Sequence, residues 1–252
     1  MKVARYSHQG QVSFGIVDQN HLIQLKGHPL VNQYETTGER VLISDVKLLA
    51  PTLPSKVVCV GKNYGAHIQE MGLDASVEPT LFFKPSSAII GAGDSIVLPW
   101  QSKQVEVEVE LAVVMGQLTK NVEPEHALNA VWGYTIANDV TARDLQFTDD
   151  QWARSKSFDT FCPLGPWLET DWVPGEQRIW SEISGQVVQD ASVDQMIHGV
   201  AAIVSYVSQN MTLLPGDVIL TGTPAGITKF ESGQTVSCSV EGIGTLVNPV
   251  AS

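Results

Sequence analysis

Cysteine is scarce in this chain of 252 residues: Cys59, Cys162 and Cys238 stand far apart, with no CxxC pair among them. That excludes a disulfide framework, a zinc knuckle and a dithiol redox motif, and leaves three buried thiols as the expectation. No run approaches the ~18 apolar residues that cross a bilayer. The opening MKVARYSHQGQVSFGIV has no apolar stretch of signal-peptide type, so the expected location is the cytoplasm. Basic residues are few, 15 Lys and Arg against 27 Asp and Glu, for a formal net charge of -12. Such a balance gives no general attraction for nucleic acid or an anionic membrane. It also repels small anions at long range, so an acidic substrate requires a local cation. Several signatures are missing as well. Gly91-Ala92-Gly93 does not extend to GxGxxG, TGTPAG is not a phosphate loop, and there is neither a GxSxG elbow nor a D-x-D-x-D-G calcium loop.

What remains is an ordinary apolar content, 43% hydrophobic against 17% charged, enough for a real core. Thirteen prolines and 21 glycines punctuate many short apolar runs, which points to a β-rich α+β fold. KVARYS, VSFGIV and HLIQL read as strands of a small N-terminal β subdomain over residues 1–52, and Ala50-Pro51-Thr52-Leu53-Pro54 marks its boundary with a catalytic domain over 53–252. VVCVG (57–61) reads as a buried strand. Asn63 as N-cap and Gly72 as the residue past the C-terminus bracket a helix over 63–72. Gly65 inside it costs roughly 1 kcal/mol against Ala, so the helix is marginal. Residues 125–132 and 194–210 carry helical spacing, with Asp194 capping the second, and a hairpin lies around Val240–Val247. Residues 1–50, 73–79, 147–153 and 228–233 are the segments that would shape substrate choice, and they carry no readable code.

The run Val105-Glu106-Val107-Glu108-Val109-Glu110-Leu111-Ala112-Val113-Val114 is the most informative. Strict alternation makes it a strand with three glutamates on one face, about 6.5–7 Å apart at i and i+2. At an effective dielectric near 20, each adjacent ionised pair repels by roughly 2.5 kcal/mol. A solvated edge would remove most of that cost. Yet the glutamate face continues into Ala112 and Val114 while the other face is valine and leucine, and a strand apolar on both faces is buried. Buried carboxylates are protonated, paired or bound to metal, and hard oxygen donors select Mg²⁺, Mn²⁺ or Ca²⁺ over zinc. A third carboxylate comes from Asn138-Asp139-Val140-Thr141-Ala142-Arg143-Asp144, where Asp139 and Asp144 are equal candidates on spacing alone.

Six words, GKNYGAHIQEMG, PTLFFKPSSAI, EVELAVVMG, GYTIANDVTARDLQ, SKSFDTFCPLGPW and LLPGDVILTGTPAGI, stand in an order that resembles the fumarylacetoacetate hydrolase family over roughly residues 55–250. The resemblance implies a mixed β-sandwich roll and a homodimer. It implies a Mg²⁺ or Mn²⁺ site built from Glu108, Glu110 and Asp139, with Glu106 outside the ligand set. His67 and Glu70 match the HxxE of members that are acylpyruvate hydrolases or oxaloacetate decarboxylases, on a helix that closes as a lid. Independently, i and i+3 share a helix face, where such a pair can position and deprotonate a water. Lys84, Arg143, Gln146, Lys156 and Thr223 match the family's substrate pocket, with Lys156 counted among the catalytic groups. Ser184-Gly185 departs from the usual Asn-Gly turn, away from the site. The implied function is metal-dependent chemistry on a small anionic 2-oxo acid. That means C–C cleavage of 3-acylpyruvates or decarboxylation of oxaloacetate through an enolate, with 2-hydroxyhepta-2,4-diene-1,7-dioate isomerisation as the alternative.

Overall fold

Alternating apolar runs become strands throughout, and the computed structural model describes residues 1–30, 34–72 and 77–252. Residues 73–76 of the segment 73–79, and residues 31–33, lie outside the described residues. The long sheet runs, in spatial order, Glu35–Leu42, His21–Lys26, Gln11–Asp18, Lys2–His8, Cys162–Glu169, Val131–Asn138, Val109–Met115, Val218–Leu220, Val57–Gly61 and Thr80–Lys84. Along this order the pairs are antiparallel except Val218–Leu220 beside Val57–Gly61, and Ile89–Ile90 adds a second parallel pair beside Cys162–Glu169, so the sheet is mixed. The N-terminal meander joins the rest through the pairing of Lys2–His8 with Cys162–Glu169. A second sheet, ordered Gln186–Ser192, Arg178–Ile183, Thr235–Val240, Gly244–Ala251 and Ile96–Val97, includes the hairpin expected near Val240–Val247. The fold is α+β and β-rich.

The core explains the depth of the glutamates. Leu111 and Val113 pack with Ile136, Ile179, Val236 and the helix residues Ile203 and Val204. Ala112 and Val114, on the other face, pack with Cys59, Leu164 and Leu220. Val109–Met115 is therefore buried on both sides, and the face that carries Glu110 continues into packed interior. The three cysteines are buried free thiols, and burial raises each of their pKa values.

Local readings needed correction at four places. The helix expected from Asn63 is Gly65–Glu70 with Tyr64 at the N-cap position, because Asn63 spends its side chain elsewhere. The helix expected over 194–210 is Val200–Asn210. Ser192 caps a separate 3-10 turn at Val193–Gln195, and Gly199 begins the helix, so Asp194 caps nothing there. Over 125–132 there is one turn of helix, Pro124–Ala127, then a 3-10 turn, and the strand already begins at Val131. Strand Glu35–Leu42 was missed because its residues, ETTGERVL, are mostly polar and exposed.

Asp217 ties the segment at Ser55 and Lys56 to the sheet. Its fully buried carboxylate accepts N–H groups of Ser55 (3.1 Å), Lys56 (3.3 Å) and Leu214 (2.8 Å) and the Ser55 hydroxyl (2.6 Å), and pairs with the Lys56 ammonium. Burial works to raise its pKa, but Lys56 and these hydrogen bonds outweigh it and hold it below the ordinary value. A depressed folded pKa contributes stability that is complete above the ordinary carboxylate value, near pH ~4, and is lost as pH falls through the folded value. Asp217→Asn is expected to lower unfolding stability at pH 7 by about 2 kcal/mol. The gap to wild type should narrow as the pH is taken below ~4. Urea melts at the two pH values check this; an unchanged gap would show that the charge of Asp217 contributes nothing.

Candidate metal centre

The expected single strand 105–114 is in fact broken at Glu108. Val105–Val107 pairs with Thr141–Ala142 and Thr228–Lys229 in a small third sheet, while Val109–Met115 pairs with Val131–Asn138 in the long one. Both partners change sheets at the same level. There the Glu108 N–H donates to Asn138 Oδ1 (3.1 Å) and the Asp139 N–H to the Glu108 carbonyl (2.9 Å). This double corner sets Asp139 beside the glutamates. Glu108, Glu110 and Asp139 each bring a carboxylate oxygen to within 4.8 Å of the others. All three are buried, at 4%, 2% and 0% exposure.

Their surroundings divide them. Lys156 Nζ donates to Glu108 Oε2 (2.8 Å) and Asp139 Oδ2 (2.6 Å), and Lys84 Nζ to Asp139 Oδ1 (2.5 Å) and the Val140 carbonyl (3.1 Å). Arg143 bridges Glu106, at 2.8 Å from its Nε, and Glu108, and its remaining arm reaches Gln146. Thr141 Oγ1 donates to Glu108 Oε1 at 2.9 Å. Burial alone would raise the Glu108 pKa, but the charges of Lys156 and Arg143 hold it well below the ordinary value. Lys156 is likewise raised: burial opposes its charge, and Asp139 and Glu108 more than compensate. Among the described residues Glu110 makes no ion pair with a lysine or arginine. Its hydrogen bond comes from the Gly222 N–H (2.6 Å), and burial, then the charges of Asp139 and Glu108, push its pKa well above the usual range. Four buried carboxylates thus meet three cations, and Glu110 is the one without a cationic partner among the described residues. Hard oxygen donors converging on a carboxyl group that needs a further cation to ionise fit a divalent ion.

These residues close one end of a narrow, solvent-open cleft whose free interior is about 40 Å³. Glu108, Glu110, Asp139, Arg143, Gln146, Lys156, Thr223 and His67 all line it, with Ile68, Met71, Phe82 and Trp152 as apolar wall. Lys84 lies behind Asp139 rather than on the cleft surface. Glu70 also stands back, with Oε2 3.0 Å from His67 Nδ1 and Oε1 accepting the Gly226 N–H at 3.0 Å. Glu106 sits outside the triad, held by Arg143 and by Gln104 at 2.6 Å. Asp144, the other spacing candidate, caps a turn: its carboxylate accepts the Ser102 hydroxyl at 2.6 Å and the Lys103 N–H at 2.8 Å.

Three groups escaped the sequence reading. Gly222 has φ +99°, and a Cβ there would lie 2.6 Å from Asn63 Cβ, so only glycine lets its N–H reach Glu110. Asn63, fully buried, donates from Nδ2 to the carbonyls of Thr221 (2.7 Å) and His198 (3.0 Å) and accepts the His198 N–H (2.8 Å). It thereby pins the root of the Gly65–Glu70 helix to the loop over Glu110. Gln189 accepts the Val109 N–H at 2.9 Å, which fixes the orientation of its amide, and donates from Nε2 to Thr223 Oγ1 and to the Pro224 carbonyl, both at 2.8 Å. The Thr223 hydroxyl is therefore an acceptor on the protein side and keeps its own proton for the cleft. Long-range contacts of this kind leave no local pattern.

Comparison with known proteins follows the same outline. The family "Fumarylacetoacetate (FAA) hydrolase C-terminal" matches residues 56–251, and "Rv2993c-like, N-terminal" matches residues 1–51. Protein Rv2993c of Mycobacterium tuberculosis is 52% identical over 217 residues, covering 85% of this chain and 82% of that one. The human mitochondrial oxaloacetate tautomerase FAHD2A is 44% identical over 220 residues, 82% of this chain and 70% of its own. The crystal structure of 2-hydroxyhepta-2,4-diene-1,7-dioate isomerase from Mycobacterium marinum superposes with a TM-score of 0.92 at 44% identity, covering 100% of this chain and 98% of that one.

Proposed function

The chain belongs to the fumarylacetoacetate hydrolase family, and from that premise we propose that it is a Mg²⁺- or Mn²⁺-dependent enzyme that interconverts the enol and keto forms of a small 2-oxo acid by proton transfer at C3. The observation that carries this reading is one cleft lined both by Glu108, Glu110 and Asp139 and by His67, with Glu70 behind His67 at 3.0 Å. The resemblance in sequence words put C–C cleavage first. Relatives at 44% identity that are a tautomerase and an isomerase move proton transfer ahead of it.

A cation held by Glu108, Glu110 and Asp139 would supply Lewis-acid polarisation of the 2-oxo group. The protein's own groups do the rest. Lys156 and Arg143 hold Glu108 ionised and place positive charge beside the substrate carboxylate and the enolate oxygen. The Thr223 hydroxyl, oriented by Gln189, donates to an oxygen of the substrate. Glu70 faces His67 Nδ1, so Nδ1 carries the proton and Nε2 is the basic nitrogen that takes the C3 proton and delivers it to the 2-oxygen, or in the reverse direction carries the enol O–H proton to C3. Glu70 then stabilises the imidazolium, and the Gly226 N–H fixes Glu70 in place. Ile68, Met71, Phe82 and Trp152 exclude water from the reacting carbon.

The anchored dyad equally fits removal of a proton from water, which supports cleavage of a 3-acylpyruvate at its distal carbonyl as the second reading. Ultraviolet decay of enol-oxaloacetate, followed with Mg²⁺ or Mn²⁺ and after chelation, tests the first. Acceleration by at least about 100-fold over the metal-matched blank is expected, in line with one general base, and its loss on chelation. Release of pyruvate from acetylpyruvate without any effect on enol-oxaloacetate would overturn it in favour of hydrolysis.

A further inference from the structure

The cations around the cleft are unequal. Lys84 is bound to Asp139, Lys156 to Glu108 and Asp139, and Arg143 to Glu106 and Glu108. Lys62 also lines the cleft, is half-buried where the others are at most 2% exposed, and among the described residues has no acidic partner. Its backbone is held at φ +59°, the left-handed region that residues with a side chain seldom adopt. The turn is fixed on both sides. A Cβ on Gly61 would meet the Trp152 ring at 2.8 Å, and the Asn63 amide is locked to Thr221 and His198. Gly61 and Lys62 both line the cleft, and of the two only Lys62 carries a side chain. The wall around it is the apolar surface of Ile68, Met71, Phe82 and Trp152, which offers no other charge to a ligand.

We propose that Lys62 binds the distal carboxylate of the substrate, so that the enzyme selects dicarboxylic 2-oxo acids over monocarboxylic ones. This rests on the 2-oxo acid reading above. The first carboxylate belongs at the buried end, among Arg143, Lys156 and the triad. A second carboxylate carried away from C3 would reach the outer, half-buried cation. In a chain of net charge -12, an ammonium at that place with no acidic partner among the described residues supplies the local attraction that a dianion lacks elsewhere. A ketone or methyl group there would leave it without a counter-ion.

The test compares oxaloacetate with its 4-methyl ester, which keeps the shape and removes the distal charge, on metal-loaded wild type, Lys62→Met and Lys62→Arg. For wild type, KM should be about tenfold lower for oxaloacetate than for the ester, the gain of one modest ion pair. Lys62→Met should raise KM for oxaloacetate about tenfold, with kcat and the ester's constants unchanged, and Lys62→Arg should restore it. Equal changes for both compounds, or no change for either, would overturn the proposal. Calorimetric binding of oxaloacetate and pyruvate to the same three proteins runs alongside. If no protein turns either compound over, the reaction proposed above falls. A preference for the dianion that Lys62→Met abolishes would still stand for Lys62, and equal affinities in wild type and variant would refute it.

Discussion

Glu110→Gln is expected to abolish binding of the divalent cation and to lower kcat/KM by at least about 10³-fold, the scale of losing several kcal/mol of Lewis-acid stabilisation. The fold should be untouched. Among the described residues Glu110 makes no ion pair with a lysine or arginine, and burial with two like charges disfavours its ionised form. A neutral isostere therefore removes repulsion and keeps an oxygen for the Gly222 N–H. The metal-free variant should melt at or above the temperature of metal-free wild type. Asp139→Asn should lose metal and activity equally, but with the opposite effect on stability. It leaves the buried ammonium groups of Lys84 and Lys156 each short of a charged partner, and breaking a buried pair costs about 3–5 kcal/mol. Calorimetric titration with Mn²⁺ and thermal melts with and without the ion check both. Wild type should gain about 2.7 kcal/mol at an ion concentration 100-fold above Kd, and neither variant should respond. Full activity in a variant that binds no ion would refute the metal-dependent reading.

His67→Ala should separate chemistry from metal binding. His67 lines the cleft but contributes no ligand to the triad, and its own partner is Glu70 at 3.0 Å. Loss of a general base costs about 10²–10⁴-fold in rate, so kcat should fall within that range while Mn²⁺ affinity and melting temperature stay near wild type. Glu70→Gln should cost less, because the imidazole remains and loses the carboxylate that orients it and stabilises its charged form. Solvent deuterium incorporation at C3 of the 2-oxo acid gives the direct readout: it should collapse in His67→Ala. Matching losses of exchange and of metal affinity would show that His67 acts through the metal site and not as a base.

Much of this site is written locally. Alternation marked the strand of glutamates, and the apolar residues at Ala112 and Val114 on the same face told that it is buried, as the two core clusters on either side of Val109–Met115 bear out. The His67–Glu70 contact follows from helical i, i+3 geometry. Elsewhere local propensity misled. Asn63 is a good N-cap by type, yet its amide has longer-range partners in Thr221 and His198, and those contacts displace the helix start by a residue. The alternation through Glu108 is unbroken in sequence, but the strand changes sheet there, because period-2 patterning carries no information about which neighbour a strand pairs with.

The choice between Asp139 and Asp144 shows the division most plainly. Both lie in one short stretch, and spacing treated them alike. What separates them is the corner at which two strands leave the long sheet together. It turns Asp139 inward beside Glu108 and leaves Asp144 to cap a turn at Ser102 and Lys103. By itself the sequence determined the types of group available and their faces: carboxylates aimed at an interior, a His–Glu pair on one helix turn, and an acidic chain in need of a local cation. Tertiary structure decided which carboxylate joins the two glutamates, which lysines are engaged with them, and that Lys62 has no acidic partner among the described residues. Those are questions of distance between segments far apart in the chain, and only packing sets such distances.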